Sequence, residues 1–137
     1  MAFTNVATLK AQLATLTVTG VTTVFDHPMN QVNTAQLPIM FVGFPEIEEG
    51  VATFQSRPAQ EIVTIELVIL VGPALHNLND ANFDTSVDLM DALRDALVAN
   101  ADDFNLDKWN IKLSTNQLGD TTYWSVIATI IASGGVS

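Results

Sequence analysis

Glu61-Ile62-Val63-Thr64-Ile65-Glu66-Leu67-Val68-Ile69-Leu70-Val71 is the strongest strand signal in the chain. Successive side chains of a strand point to opposite faces, so Val63, Ile65, Leu67, Ile69 and Val71 share one side. That side is wholly apolar and belongs against a core. Ile62, Thr64, Glu66, Val68 and Leu70 take the other side. It is only half apolar, which fits a face meeting another subunit better than one meeting open water. The run is too short to cross a bilayer as a helix, which needs about 20 apolar residues. Gly72-Pro73 then breaks the strand.

Working towards the N-terminus, Ile39 to Phe44 is a continuous apolar run between Pro38 and Pro45. Continuous apolarity marks a strand buried on both faces. Val21 to Asp26 is β-branched and aromatic, and reads as a further strand ending at His27-Pro28. Met29 to Leu37 is a polar loop between the two. The first helix is predicted over Thr4 to Leu16, because Val6, Leu9, Leu13 and Leu16 recur on one stripe. Thr4 or Asn5 supplies its cap. Glu46 to Gln60 is the least regular segment, a long loop or hairpin with Val51 to Gln55 as its candidate strand. Connections of that length in a compact domain are functional or disordered.

Towards the C-terminus, Ala74 to Asn82 reads as a loop and Phe83 to Asn100 as a helix. Phe83, Val87, Met90, Leu93 and Leu97 form its buried stripe, widened by Leu89 and Ala96. Thr85 and Asp88 have capping-box spacing. Trp109, Ile111 and Leu113 alternate with polar residues, a turn falls near Gln117 to Asp120, and Thr121 to Ala132 alternates again, which is a hairpin pattern. Residues 133–137 read as a flexible tail. The order is α-β-β-β-α-β-β. It predicts one α+β domain over residues 1–137, a mixed, mostly antiparallel sheet with two helices on one face.

Charged residues make up only 15% of the 137 residues, fifteen acidic against five basic, for a net charge of −10. An ordinary soluble domain carries about 25%. With a mean hydropathy of +0.31, the chain has little polar surface for a comfortable monomer, and copies of itself are the simplest cover. Lys10, Arg57, Arg94, Lys108 and Lys112 are too few to neutralise a run of phosphates, so nucleic-acid wrapping is excluded. The absence of cysteine excludes a disulfide framework, a thiol nucleophile and a thiolate metal site. Met1-Ala2-Phe3-Thr4 lacks the basic start and apolar run of a signal peptide.

Few constellations carry chemistry. Asp80, Asp84, Asp88, Asp91 and Asp95 recur at helical spacing. The plain reading is a solvated face; the functional one is a repulsive surface that DNA passes without sticking. Asp103-Phe104-Asn105-Leu106-Asp107 starts like an EF-hand loop, but Lys108 stands where glycine is needed and Ser114 where the bidentate glutamate belongs. Asp26-His27 sets an acid beside an imidazole without the nucleophile or metal that catalysis requires. Trp109, Tyr123 and Trp124 lack the basic neighbours of a base-stacking platform, so they read as core or subunit-interface packing. Arg57, in the long acidic segment, has the side chain favoured at interface centres. No catalytic residue, cofactor site or metal site is assigned.

The leading helix with Leu9-Lys10-Ala11-Gln12-Leu13, then Val24-Phe25-Asp26, then a polar loop running into Leu37-Pro38-Ile39-Met40-Phe41-Val42, resembles the tail terminator proteins of tailed bacteriophages. The strand Glu61 to Val71, the helix with Leu89-Met90-Asp91-Ala92-Leu93 and the closing hairpin follow that family's order. The resemblance implies a virion protein made in the host cytoplasm and placed at the tail–neck junction. It implies a homohexameric ring that caps the tail tube, stops its polymerisation and joins it to the neck or connector protein, with DNA passing through the bore and no membrane partner. Glu46, Glu48, Glu49, Phe54, Arg57, Glu66 and Val68 are then the expected contacts to a sibling, the tube or the neck. Asp84, Asp88, Asp91 and Asp95 are either bore-lining or a solvated stripe. Three competing readings are another neck or tube-associated ring protein, a small hydrolase or ligand-binding domain built on Asp26 and His27, and an adaptor that takes a peptide along its sheet edge.

Overall fold

Six strands form one mixed sheet in the computed structural model, which describes residues 6–28, 33–50, 60–74, 79–118 and 120–134. The elements run α1 (Val6–Leu13), β1 (Thr23–Phe25), a 3₁₀ turn (Thr34–Gln36), β2 (Ile39–Val42), β3 (Glu46–Gly50), β4 (Gln60–Pro73), α2 (Asn79–Phe104), β5 (Leu106–Leu118) and β6 (Thr121–Gly134). The strand order is β1-β2-β4-β6-β5, with β3 lying beside β4 on the same edge as β2. Only β1 and β2 pair in parallel; every other pairing is antiparallel. The expected α+β class and the helix-backed, mostly antiparallel sheet are both present.

Both helices cover one face. Leu9 and Leu13 of α1, Leu16 and Val18 after it, and Leu89, Leu93 and Leu97 of α2 pack on the expected inward row of β4, Val63 to Val71. Val126, Ala128, Ile130 and Ala132 of β6 complete that layer. The small alanines let α2 approach the sheet closely, and each buried leucine contributes about 1.5–3 kcal/mol of transfer free energy.

The opposite face carries no α-helix among the described residues. Its upper part is nonetheless closed within the chain, because Phe41, Val68, Leu70 and Tyr123 form a second cluster capped by Phe25, Leu37, Leu118 and Ile127. Val68 is left 5% exposed, so this half of the strand's second side is covered by its own chain rather than left for a neighbour. Ile62, Thr64 and Glu66, lower on the same side, stay half-buried. All four residues of β2 are buried, as its continuous apolarity implies.

Several boundaries differ from the sequence expectation. A strand lies at Glu46–Gly50, so the order gains one β element; the candidate strand at Val51 to Gln55 lies outside the described residues. Gly72-Pro73 does not stop β4. A bulge between Leu70 and Gly72 absorbs the irregularity, and Pro73 still registers with Tyr123. The second helix begins at Asn79 and ends at Phe104, longer at both ends. Thr85 is therefore interior, and its hydroxyl donates to the Ala81 carbonyl (3.0 Å) instead of capping. Ser133 and Gly134, expected in a flexible tail over 133–137, belong to β6 and register with Ile62 and Glu61, while residues 135–137 lie outside the described residues. The first helix is described from Val6, so the caps at Thr4 and Asn5 fall outside the described residues.

Candidate functional site

The expected chemistry at Asp26-His27 does not assemble among the described residues. Asp26 Oδ2 turns to Lys10 Nζ at 3.7 Å, an exposed ion pair. His27 Nδ1 lies 3.0 Å from the Pro28 carbonyl, to which it donates, and its ring tilts against Phe25 at 5.6 Å between centroids. An ion pair and a turn account for both side chains. No group of three or more His, Cys, Asp or Glu residues is positioned to hold a metal ion among the described residues.

Asn105 resolves the EF-hand-like stretch differently. It adopts φ of 56°, in the left-handed region that asparagine tolerates. There it ends α2 and starts β5 in a single step. Its side-chain amide donates to the Ser133 carbonyl, and the Ser133 N–H donates to the Asn105 carbonyl at 3.3 Å. Ser133 Oγ in turn donates to Asp107 Oδ1 at 3.2 Å. These residues form a structural clasp between the helix end and two strands.

The acidic stripe exists as a surface. Asp84, Asp88, Asp91 and Asp95 are all exposed on α2. Asp88, Asp91 and Asp95 line one flank of an open groove of about 520 Å³ whose other wall holds Thr17 and Thr19. Among the described residues Arg94 pairs with Asp95, at 3.2 Å and in solvent, which leaves Asp84, Asp88 and Asp91 without a basic partner there.

The side of α2 away from that groove carries three exposed apolar side chains on a line that also holds the exposed Arg94, two turns after Val87 and one before Val98. Phe83 and Val87 stand one turn apart, and Val98 follows three turns later on the same line. All three are exposed, Val98 to 61%. Residues 17–19 lead towards β1, whereas β5 forms the far edge of the sheet. The flank away from Thr17 and Thr19 therefore overlooks the β5 edge. Phe83 meets Trp124 of β6 edge-on at 5.5 Å, and Trp109, Ile111 and Leu113 of β5 are only partly buried beneath α2. No element pairs with the outer edge of β5 among the described residues, although β5 is thirteen residues long. Phe83 and Val87, expected in the buried stripe, are instead exposed, because the side of α2 that meets the sheet runs through Leu89, Leu93, Ala96 and Leu97; Val98 was not singled out by the sequence reading.

The other expected contacts separate. Glu46 is exposed on β3, and Glu48 and Glu49 register with Ile62 and Glu61. Glu66 is half-buried in a cleft of about 270 Å³ shared with Pro28, Phe41, Phe44 and Leu118. Gly43 donates its N–H to the Glu66 carbonyl at 2.7 Å. Val68 packs inside the chain, and Phe54 and Arg57 lie outside the described residues. Phe44, expected inside the buried Ile39 to Phe44 strand, falls beyond the end of β2 and is 77% exposed, and Ile47, which the sequence reading passed over, is 51% exposed beside Glu46. Two large apolar side chains in a short segment next to glutamates were the available signal.

No protein-family model matches the chain, and no curated protein matches it. No helix among the described residues is long and apolar enough to cross a membrane.

Proposed function

We propose that this chain is a ring-forming structural protein of a phage virion, a tail terminator that caps the tail tube and joins it to the neck. The observation that carries the reading is the β5 edge, unpaired among the described residues, with the exposed Phe83, Val87 and Val98 of α2 beside it. A free strand edge beside exposed Phe83, Val87 and Val98 is a surface built to be covered, and a sibling covers it at every position of a ring. The α+β layering accords with the fold that the sequence resemblance implies. The net charge of −10 and the open acid stripe of α2 suit a passage through which DNA slides without being held.

The partners in this reading are copies of the chain, the tube protein on one ring face and the neck or connector protein on the other. A different ring of the neck or tube would share the same surfaces, and the test separates the two. Purified protein is mixed with tail tubes growing in vitro and viewed by negative-stain electron microscopy. A terminator decorates tube ends and fixes their length. A neck component leaves the tubes growing and binds the connector. A strict monomer that touches neither rejects the reading. The hydrolase alternative has no support in the geometry, since Asp26 faces Lys10 and His27 faces the Pro28 carbonyl.

A further inference from the structure

One carboxylate stands in an otherwise apolar cleft on the sheet face away from the helices. Phe41, Val68, Leu118 and Ile127 wall that cleft, Glu66 is its single charged group and Asn116 its other polar side chain. Among the described residues neither ion pair involves Glu66: Lys10 pairs with Asp26, and Arg94 with Asp95. We infer that the cleft takes an arginine side chain presented by a different protein. The site stands on the cleft itself, whichever surface joins copies of the chain.

Size comes first. The cleft holds about 270 Å³. Small-molecule and cofactor sites span about 300–1,000 Å³, so this one suits a single side chain better than a whole ligand. Its lining then selects which side chain. Apolar walls cover a methylene stem, and a long cationic residue buries that stem while its head meets a polar group. The half-buried Glu66 carboxylate is that group. It can accept two parallel N–H bonds from a planar guanidinium, whereas an ammonium offers only a point charge.

Two neighbours fit the same occupant. A Cβ at Gly43 would stand 3.1 Å from Glu66 Cβ and 3.3 Å from Glu66 Oε1. Glycine therefore leaves the space beside the carboxylate open. Phe44 lines the cleft yet is 77% exposed, so its ring stands at the rim, where a guanidinium stacks on an aromatic face.

Charge places the source outside the chain. Arg57 and Arg94 are its only arginines, against fifteen acidic residues and a net charge of −10. A partner with exposed arginines is steered towards such a molecule, and the apolar cleft fixes where one of them seats.

The probes are a capped glycine-arginine-glycine peptide and its lysine and citrulline counterparts, the last neutral and close to arginine in shape. Each is titrated into isotope-labelled full-length protein and followed by two-dimensional NMR. The arginine peptide should shift Gly43, Glu66 and the Asn116 side-chain amide. It should bind about threefold tighter than the lysine peptide and about tenfold tighter than the citrulline peptide. Glu66→Gln should erase the advantage over citrulline. Phe44→Ala, at a mostly exposed position, should erase the advantage over lysine, and it keeps the test open if Glu66→Gln misfolds. Asp88→Asn with Asp91→Asn should leave the titration unchanged. Equal binding of arginine and citrulline, native binding by both cleft variants, or shifts confined to α2 overturns the site. In sedimentation velocity, Glu66→Gln should not alter the concentration needed for self-assembly; a rise would assign the cleft to a sibling and overturn the foreign occupant. Native protein that takes the arginine peptide but ignores tail tubes keeps the site and rejects the terminator reading. Native protein that caps tubes but fails the titration does the reverse.

Discussion

Gly20 shows how a single backbone angle supports the layer of helices. It sits at φ of +99°, a conformation that side-chain-bearing residues rarely adopt, in the link between α1 and β1. A Cβ added there would lie 3.0 Å from Leu89 Cδ2, a side chain buried in the main core. Gly20→Ala therefore carries backbone strain and a core clash together. It should lower unfolding free energy by about 1–3 kcal/mol in a urea titration with an unchanged m-value. Asn105 gives a graded comparison. Asn105→Gly keeps access to the left-handed conformation and loses only the amide bond to Ser133, whereas Asn105→Ala loses both. Thermal denaturation should rank native above Asn105→Gly above Asn105→Ala, each step about 0.5–1.5 kcal/mol. Equal losses in the two variants would show that the φ angle contributes nothing.

At the scale of elements, α2 divides into a buried stripe, an acid flank and a line where Phe83, Val87 and Val98 are exposed around Arg94. Leu93 is fully buried in the stripe, and Leu93→Ala should cost about 2–5 kcal/mol by chemical denaturation. The acid flank works against the helix. Asp84, Asp88, Asp91 and Asp95 follow one another at spacings of four, three and four, so each neighbouring pair is repulsive. Replacing Asp88 and Asp91 by Asn removes all three contacts and should raise stability by about 0.5–1.5 kcal/mol at low ionic strength. Added salt should shrink that gain, because exposed charges are screened within about 10 Å at 0.1 M. A gain that persists in 1 M salt would point to helix propensity rather than repulsion.

The elements also show what the sequence made legible. The core of β4, the two helices and the hairpin could be read because their periods are local: two for the strands, near 3.6 for the helices. β3 escaped notice because Glu46-Ile47-Glu48-Glu49-Gly50 offers one apolar residue among three acids. Its strand character comes from pairing with β4, a partner remote in the chain, and not from its own composition. The same non-local cause hid the fate of Val68. The second side of β4 looked half open, but Phe25, Leu37 and Tyr123 return over it from three separate segments. The exposure of Asp84, Asp88, Asp91 and Asp95 was readable from their spacing. The exposed flank on the other side of α2 was not, because it depends on where α2 sits across the sheet.

For the whole molecule, the decisive property is how its charges are divided. The sheet carries lysines on β5 and glutamates on β3, while α2 presents carboxylates on its outer surface with Arg94 tied to Asp95. In the proposed ring, such a division leaves the acidic helix surface free to repel a polyanion whichever surface joins the copies. If the helix flank faces the DNA path, reversing its charge should change how DNA behaves without loosening the sheet. Asp88→Lys and Asp95→Lys together change the net charge from −10 to −6, since each substitution adds two units. Both positions are exposed, so the fold and the assembly concentration should be unchanged. On a phosphate-bearing column at low salt, native protein should flow through, and the assembled variant should be retained and then released as salt rises, because phosphate neutralisation is a counterion-release effect. In phage carrying the variant, tails of normal length with slowed DNA release would place this flank along the passage. Unchanged release kinetics in such particles would show that these carboxylates face solvent outside it.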